Sequence, residues 1–128
     1  MAYKTGDYVI KNVRSAAILT TSYVAGTVLD STHEYNQLIL LVDFTIGSLT
    51  SLEVKVEFSP DGTAYYQETF QAVSAGTATE SLGAHTMTAT GKYRITIPIM
   101  DKYIKISAKG TGTVTSSSAT IDALLGIN

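Results

Sequence analysis

The chain has 128 residues, a net charge of −2, no cysteine and only 16% charged residues against 45% apolar ones. That length suits one domain with a core large enough to fold unaided. The missing cysteines exclude disulfides, thiolate metal sites and cysteine nucleophiles, and no basic excess marks a nucleic-acid partner. The low charge fits either a surface covered by neighbours or a neutral surface rich in Thr and Ser.

Residues 1–6 read as an N-terminal arm and 7–128 as a single domain. Met1 to Asp7 lacks the apolar region of a signal peptide. The longest apolar run, Leu38 to Val42, is too short to span a bilayer. No membrane partner is therefore expected, and synthesis is placed in the cytoplasm. Asp7 to Val13 predicts a first strand. Ala16 to Leu19 could extend as a second strand or start a short helix, and the β-branched and aromatic residues Thr20, Thr21, Tyr23 and Val24 favour extension. Gly26 marks a turn. Gln37 to Ile46 is the most apolar segment: Leu38, Leu40, Val42, Phe44 and Ile46 form one face, while Ile39 and Leu41 make the other face apolar too. A strand dry on both faces is central, or its outer face is covered by an arm or another subunit.

Leu52 to Phe58 alternates strictly. Leu52, Val54, Val56 and Phe58 point one way, and Glu53, Lys55 and Glu57 the other. Ser59-Pro60-Asp61-Gly62 turns the chain, with Tyr65, Tyr66 and Phe70 as the returning strand. This hairpin has one dry face, which demands a second layer. Residues 71–91, rich in Ala, Thr, Ser and Gly, read as a long connection with a short strand near Thr86 to Thr90. Such loops often carry function. Lys92 to Pro98 and Lys102 to Lys109 alternate again. Thr113 to Thr115 and Ala119 to Ala123 suggest a final hairpin, and Leu124 to Ile127 an apolar tail. About eight strands with regular turn signals predict an all-β, antiparallel β-sandwich of jelly-roll type, with a closed barrel as second choice.

Nothing in the chain specifies a reaction. His33 and His85 are far apart and lack metal-ligand spacing, and there is no Gly-x-Ser-x-Gly elbow. Glu53 and Glu57 share a strand face but stand about 13 Å apart, too far for a glycosidase pair with Lys55 between them. Asp43 is expected near a strand end, bonded to a backbone amide or a lysine. No catalytic, metal or cofactor-binding residue is expected, and no enzyme. Six of the eight tyrosines (Tyr23, Tyr35, Tyr65, Tyr66, Tyr93 and Tyr103) could build a sugar-stacking platform, although half-buried tyrosines at strand ends usually serve structure or protein contact.

The runs Tyr35 to Thr45, Ser51 to Val56, Asp61-Gly62-Thr63-Ala64-Tyr65-Tyr66, Thr90 to Ile95, Tyr103 to Ile106 and Gly110 to Thr115 follow one another in an order that resembles the small β-sandwich virion proteins of tailed bacteriophages, over roughly residues 20–125. The resemblance implies a structural protein of the virion. A capsid decoration protein comes first, contacting the major capsid protein or sibling subunits as a homo-oligomer. A neck or tail component, or a carbohydrate-binding module for host attachment, is the alternative. The contacts are expected at the two ends of the chain, through Tyr3, Tyr8, Ile10, Leu124, Leu125 and Ile127, with the 71–91 connection next.

Overall fold

The computed structural model describes residues 7–30, 34–99 and 101–127; the 1–6 arm, Tyr3 and His33 lie outside them. The described chain is all-β. Its strands are β1 (Asp7–Ala17), β2 (Val24–Ala25), β3 (Gln37–Thr45), β4 (Leu49–Ser59), β5 (Tyr66–Gln67), β6 (Thr69–Ser74), β7 (Thr77–Leu82), β8 (His85–Met87), β9 (Gly91–Ile97), β10 (Tyr103–Gly112) and β11 (Ser118–Ile127). Sheet A has the order β1-β11-β3-β9. Sheet B has the order β2-β10-β4-β5, with β8 also on β4, and β6-β7 forms a separate two-stranded sheet. Every pairing is antiparallel.

The alternation read from the sequence places the core. Leu38, Leu40, Val42 and Phe44 of β3, with Ala119, Ile121, Ala123 and Leu125 of β11, bury their side chains in one cluster with Leu52, Val54 and Val56 of β4 and Ile104, Ile106 and Ala108 of β10. Each large aliphatic or aromatic side chain removed from water in this way contributes about 1.5–3 kcal/mol. This is the two-layer sandwich.

Eleven strands replace the expected eight or so because several are very short and one expected loop is itself a hairpin. The first strand is a single run to Ala17, so the segment beginning at Ala16 forms neither a second strand nor a helix. Between Asn12 and Arg14 the register against β11 slips at Val13, a bulge that bends an edge strand. Val13 is buried, and its carbonyl accepts a hydrogen bond from Thr27 N at 2.9 Å. A Cβ on Gly26 would lie 2.3 Å from that oxygen, so only glycine lets the two segments meet.

The expected final hairpin is corrected. β10 belongs to sheet B and β11 to sheet A, so residues 113–117 carry the chain from one layer to the other. The link between β3 and β4 does the same, and the two crossings pack together: Ser48 N donates to Thr115 O at 3.1 Å. Gly47 has φ +55°, and a Cβ there would fall 2.5 Å from the Ser116 carbonyl. The apolar segment at the end of the chain is no loose tail. It is the second half of β11, held between β1 and β3.

The hairpin after β4 begins as read. Asp61 Oδ1 accepts from Thr63 N at 2.8 Å and Ala64 N at 3.0 Å, and Ser59 Oγ accepts from Gly62 N at 2.8 Å. The return is brief. β5 pairs only Tyr66 and Gln67 with Phe58 and Glu57, then the chain leaves the sheet, and β8 resumes the pairing opposite Leu52, Glu53 and Val54. Between the two lies the excursion β6-β7.

Candidate interaction surface

Three surfaces outside the core carry the features that bear on function. The first is the excursion. β6 and β7 pair from Thr69↔Leu82 to Ser74↔Thr77 around a two-residue turn, Ala75-Gly76, with both φ values positive, the twist-matched geometry of tight hairpins. This replaces the long connection expected over 71–91; the short strand expected near 86–90 is β8, at His85–Met87. Every residue of β6 and β7 is exposed, including Val73 at 69% and Leu82 at 71%. Val73, Ala78 and Leu82 share one face of this finger. Its base is held by side chains. Gln67 Nε2 donates to Gly83 O at 2.7 Å, and His85 Nε2 and Glu68 Oε1 are 3.0 Å apart. Phe70 packs against Gly83 and meets the His85 ring edge-on, with 5.6 Å between centroids.

The second surface is the outer face of sheet A. Cross-strand register puts Ile10, Leu124, Ile39 and Thr96 in one row, and Asn12, Asp122, Leu41 and Arg94 in the next. Tyr8 and Ile10 are exposed at 50% and 64%, and Leu124 is half-buried. Three of the six residues expected to make contacts, Tyr8, Ile10 and Leu124, are thus neighbours on one face. Leu125 is not available for contact: it alternates inward and is wholly buried in the core. Ile127 is exposed at the end of β11, opposite Asp7. On the same face Ile39 is buried at 4%, while Leu41 and Asp122 are half-buried and Arg94 is exposed; the second apolar face of β3 was the sequence signal for Leu41 alone. Past the second row lies a depression of about 390 Å³ lined in part by Asp43, Lys92, Arg94, Thr120 and Asp122. Lys92 Nζ pairs with Asp43 Oδ2 at 3.1 Å, the lysine contact expected for that aspartate. Asn12 Nδ2 donates to Asp122 Oδ1 at 2.9 Å.

The third surface, the outer face of sheet B, is a charged ladder. Lys105 faces Glu57, and Lys109 faces Glu53 across β10 and β4. Tyr23 lies under two ammonium groups, Lys55 at 4.6 Å and Lys109 at 4.9 Å from its ring centre, and Tyr65 lies under Lys105 at 4.2 Å. Partial burial, with the nearby Glu53 carboxylate, raises the Tyr23 phenol above its ordinary pKa.

The tyrosines do not form a platform. Tyr35 and Tyr93 pack against the core, Tyr93 donating to Ala89 O at 2.6 Å. Tyr23 and Tyr65 have ring faces occupied by lysines, and Tyr103 sits by Gly62. Tyr66, the sixth of them, stands exposed at 64% on β5. Among the described residues no group of three or more His, Cys, Asp or Glu is placed to hold a metal ion. Compared with known protein families and with curated proteins, the chain matches none.

Proposed function

We propose that this chain is a structural protein of a tailed-bacteriophage virion, a capsid decoration protein that acts by protein–protein contact. The observation that carries this reading is the finger. An isolated two-stranded hairpin is marginal in water, yet 69–82 projects from the edge of sheet B with every residue exposed, and its Val73 and Leu82 are the most exposed large hydrophobic side chains among the described residues. Its only charged residue is Glu80. A sheet of this kind gains stability when a neighbour covers it. The low charge of the whole chain and the resemblance of residues 20–125 to virion β-sandwich proteins support the same reading. The finger replaces the chain ends as the first contact with the capsid. The major capsid protein is the partner, and the virion the location.

The test is mass spectrometry and electron microscopy of purified particles of the phage that encodes the chain. The expected result is a high copy number on the capsid exterior, with occupancy falling in a Val73→Asp, Leu82→Ser variant that keeps the wild-type melting curve. Density confined to the neck or tail would overturn the decoration assignment, and absence from particles would overturn the virion reading altogether.

A further inference from the structure

We infer that the first half of β1 is a strand-addition site, and that its occupant is an extended apolar segment of another polypeptide with a carboxylate side chain at its N-terminal end. A sheet edge presents unpaired backbone N–H and C=O groups, and proteins ordinarily blunt such edges with short strands, charged side chains or proline. Among the described residues, three of the four sandwich edges follow that rule. On sheet A, β9 exposes Lys92 and Arg94 and is followed by Pro98. On sheet B, β2 has two residues at one edge, and β5 and β8 have two and three at the other. The fourth edge, β1, is 11 residues long and pairs only with β11. Its second half is guarded: Lys11 lies opposite Ala123 on the core side, the register slips at Val13, and Thr27 N donates to the Val13 carbonyl. Its first half is not, for Tyr8 is 50% exposed, Val9 41% and Ile10 64%.

Val9 shows that an edge is open here, not a face. It lies opposite Leu125, whose side chain is wholly buried, so it points to the core side of sheet A, while Tyr8 and Ile10 point to the outer side. Apolar surface on both sides of one strand is covered by a further strand laid alongside it, which also takes up the free ladder groups; sheets bind extended peptides in this way. The side chains specify the rest of the occupant. In an antiparallel addition, three successive residues lie opposite Ile10, Val9 and Tyr8, positions where aromatic and β-branched partners pair well. The residue before those three lies opposite Lys11, whose ammonium has no hydrogen-bond or ion-pair partner among the described residues. A carboxylate at that position completes the match by charge. A second copy is the poorer occupant: two domains joined edge to edge over so short a stretch bury far less than the roughly 800 Å² per partner of a standard interface. A linear segment held in a larger assembly is under no such requirement, because its tether supplies the effective concentration.

The inference stands apart from the virion reading. A chain that binds such a segment but is absent from particles would remove that reading alone, and a chain that decorates particles but leaves the segment unbound would remove the inference alone. The experiment is a titration of the isotope-labelled full chain with the peptide acetyl-Ser-Glu-Tyr-Val-Val-Thr-amide, followed by the NMR shifts of the backbone amides. Shifts are expected from Tyr8 to Lys11, with a dissociation constant on the order of 1 mM, since only a few ladder bonds form. The same peptide N-methylated at its three apolar residues keeps the side chains but loses the ladder donors, and should bind about tenfold more weakly or worse. Ile10→Lys, at an exposed position, should leave the melting curve unchanged and weaken binding about tenfold. Lys11→Glu should bind a peptide carrying lysine in place of glutamate better than the original. If Lys11→Glu does not fold, the lysine peptide against wild type tests the same contact and should bind more weakly than the glutamate peptide. Shifts centred away from β1, or an N-methylated peptide that binds as well as the parent, overturn the inference. So does sedimentation that shows the chain pairing with itself and losing that pairing in Ile10→Lys, because the edge then belongs to a second copy.

Discussion

On sheet B, Lys55, Lys105 and Lys109 fold back over the rings of Tyr23 and Tyr65, so charge and aromatic surface cover each other. On sheet A, Tyr8 and Ile10 stand open beside Leu124, while Arg94 and Asp122 lie on one row without meeting. Both sheets close over the same core, and both alternate. They differ in what alternates outward. On sheet B charge and ring surface cover one another, although Glu53 Oε2 is buried there without a hydrogen-bond partner; on sheet A Tyr8 and Ile10 leave apolar area open, the kind of surface a second molecule covers.

The sharpest way to break this contrast lies within one strand. Leu125→Ala removes a fully buried side chain from β11 and should cost about 2–5 kcal/mol of stability. The adjacent Leu124→Ala, half-buried on the outer face, should cost well under half of that; chemical denaturation of the two variants side by side separates them. Equal losses would mean that the outer face belongs to the core. Next in size is the support common to both sheets. Gly47→Ala would force a Cβ against the Ser116 carbonyl at a positive φ, and a loss of about 2 kcal/mol is expected in a urea melt, with both outer faces affected alike. Smaller again is Tyr23→Ala, which takes the ring from beneath two lysines and should cost about 1 kcal/mol in the same melt.

The pH dependence sharpens the comparison least. The folded pKa of Tyr23 is raised, so its contribution is fully present below its ordinary pKa of 10.0 and is lost as the pH climbs through the folded value. Loss of stability above pH 10 should shrink in Tyr23→Phe. Asp61, in the turn that follows β4, behaves in the opposite sense. Hydrogen bonds from the Thr63 and Ala64 amides, and then from Ser59, hold its carboxyl below the ordinary 3.8. Its contribution is therefore present above about pH 4 and lost as the pH falls through the lower folded value. Asp61→Asn should flatten a small part of the acid limb of a stability-against-pH curve.

Much of the architecture was readable because period-2 alternation is a local signal. The inward sets Leu52-Val54-Val56, Ile104-Ile106-Ala108 and Leu38-Leu40-Val42-Phe44 went where their spacing said. The finger was not readable as strands. Thr69 to Leu82 has no dry face, so it has no alternation to detect, and its turn is Ala-Gly rather than the usual Asn-Gly. The final hairpin was misread for a related reason: adjacent strands joined by a serine-rich bend look alike whether the chain folds back within a sheet or crosses to the opposite one. Of the candidate contacts, Tyr8, Ile10 and Leu124 were found through their apolarity near the chain ends. Leu125 was included because the same apolarity marks a core residue equally well, and one position of register separates the two outcomes.

What the sequence determined by itself was a two-layer antiparallel β protein, with its core residues and with no marked catalytic set, since those follow from side-chain order along single strands. Only the tertiary structure decided which strands are neighbours, where the chain changes layer, that 69–82 stands clear of the sandwich, and that Ile10, Leu124, Ile39, Asp122 and Arg94 share one face. Those relations join residues up to 120 positions apart, from Asp7 to Ile127, and pairing across such distances is set by which arrangement buries the most apolar surface, a property of the whole chain rather than of any stretch of it.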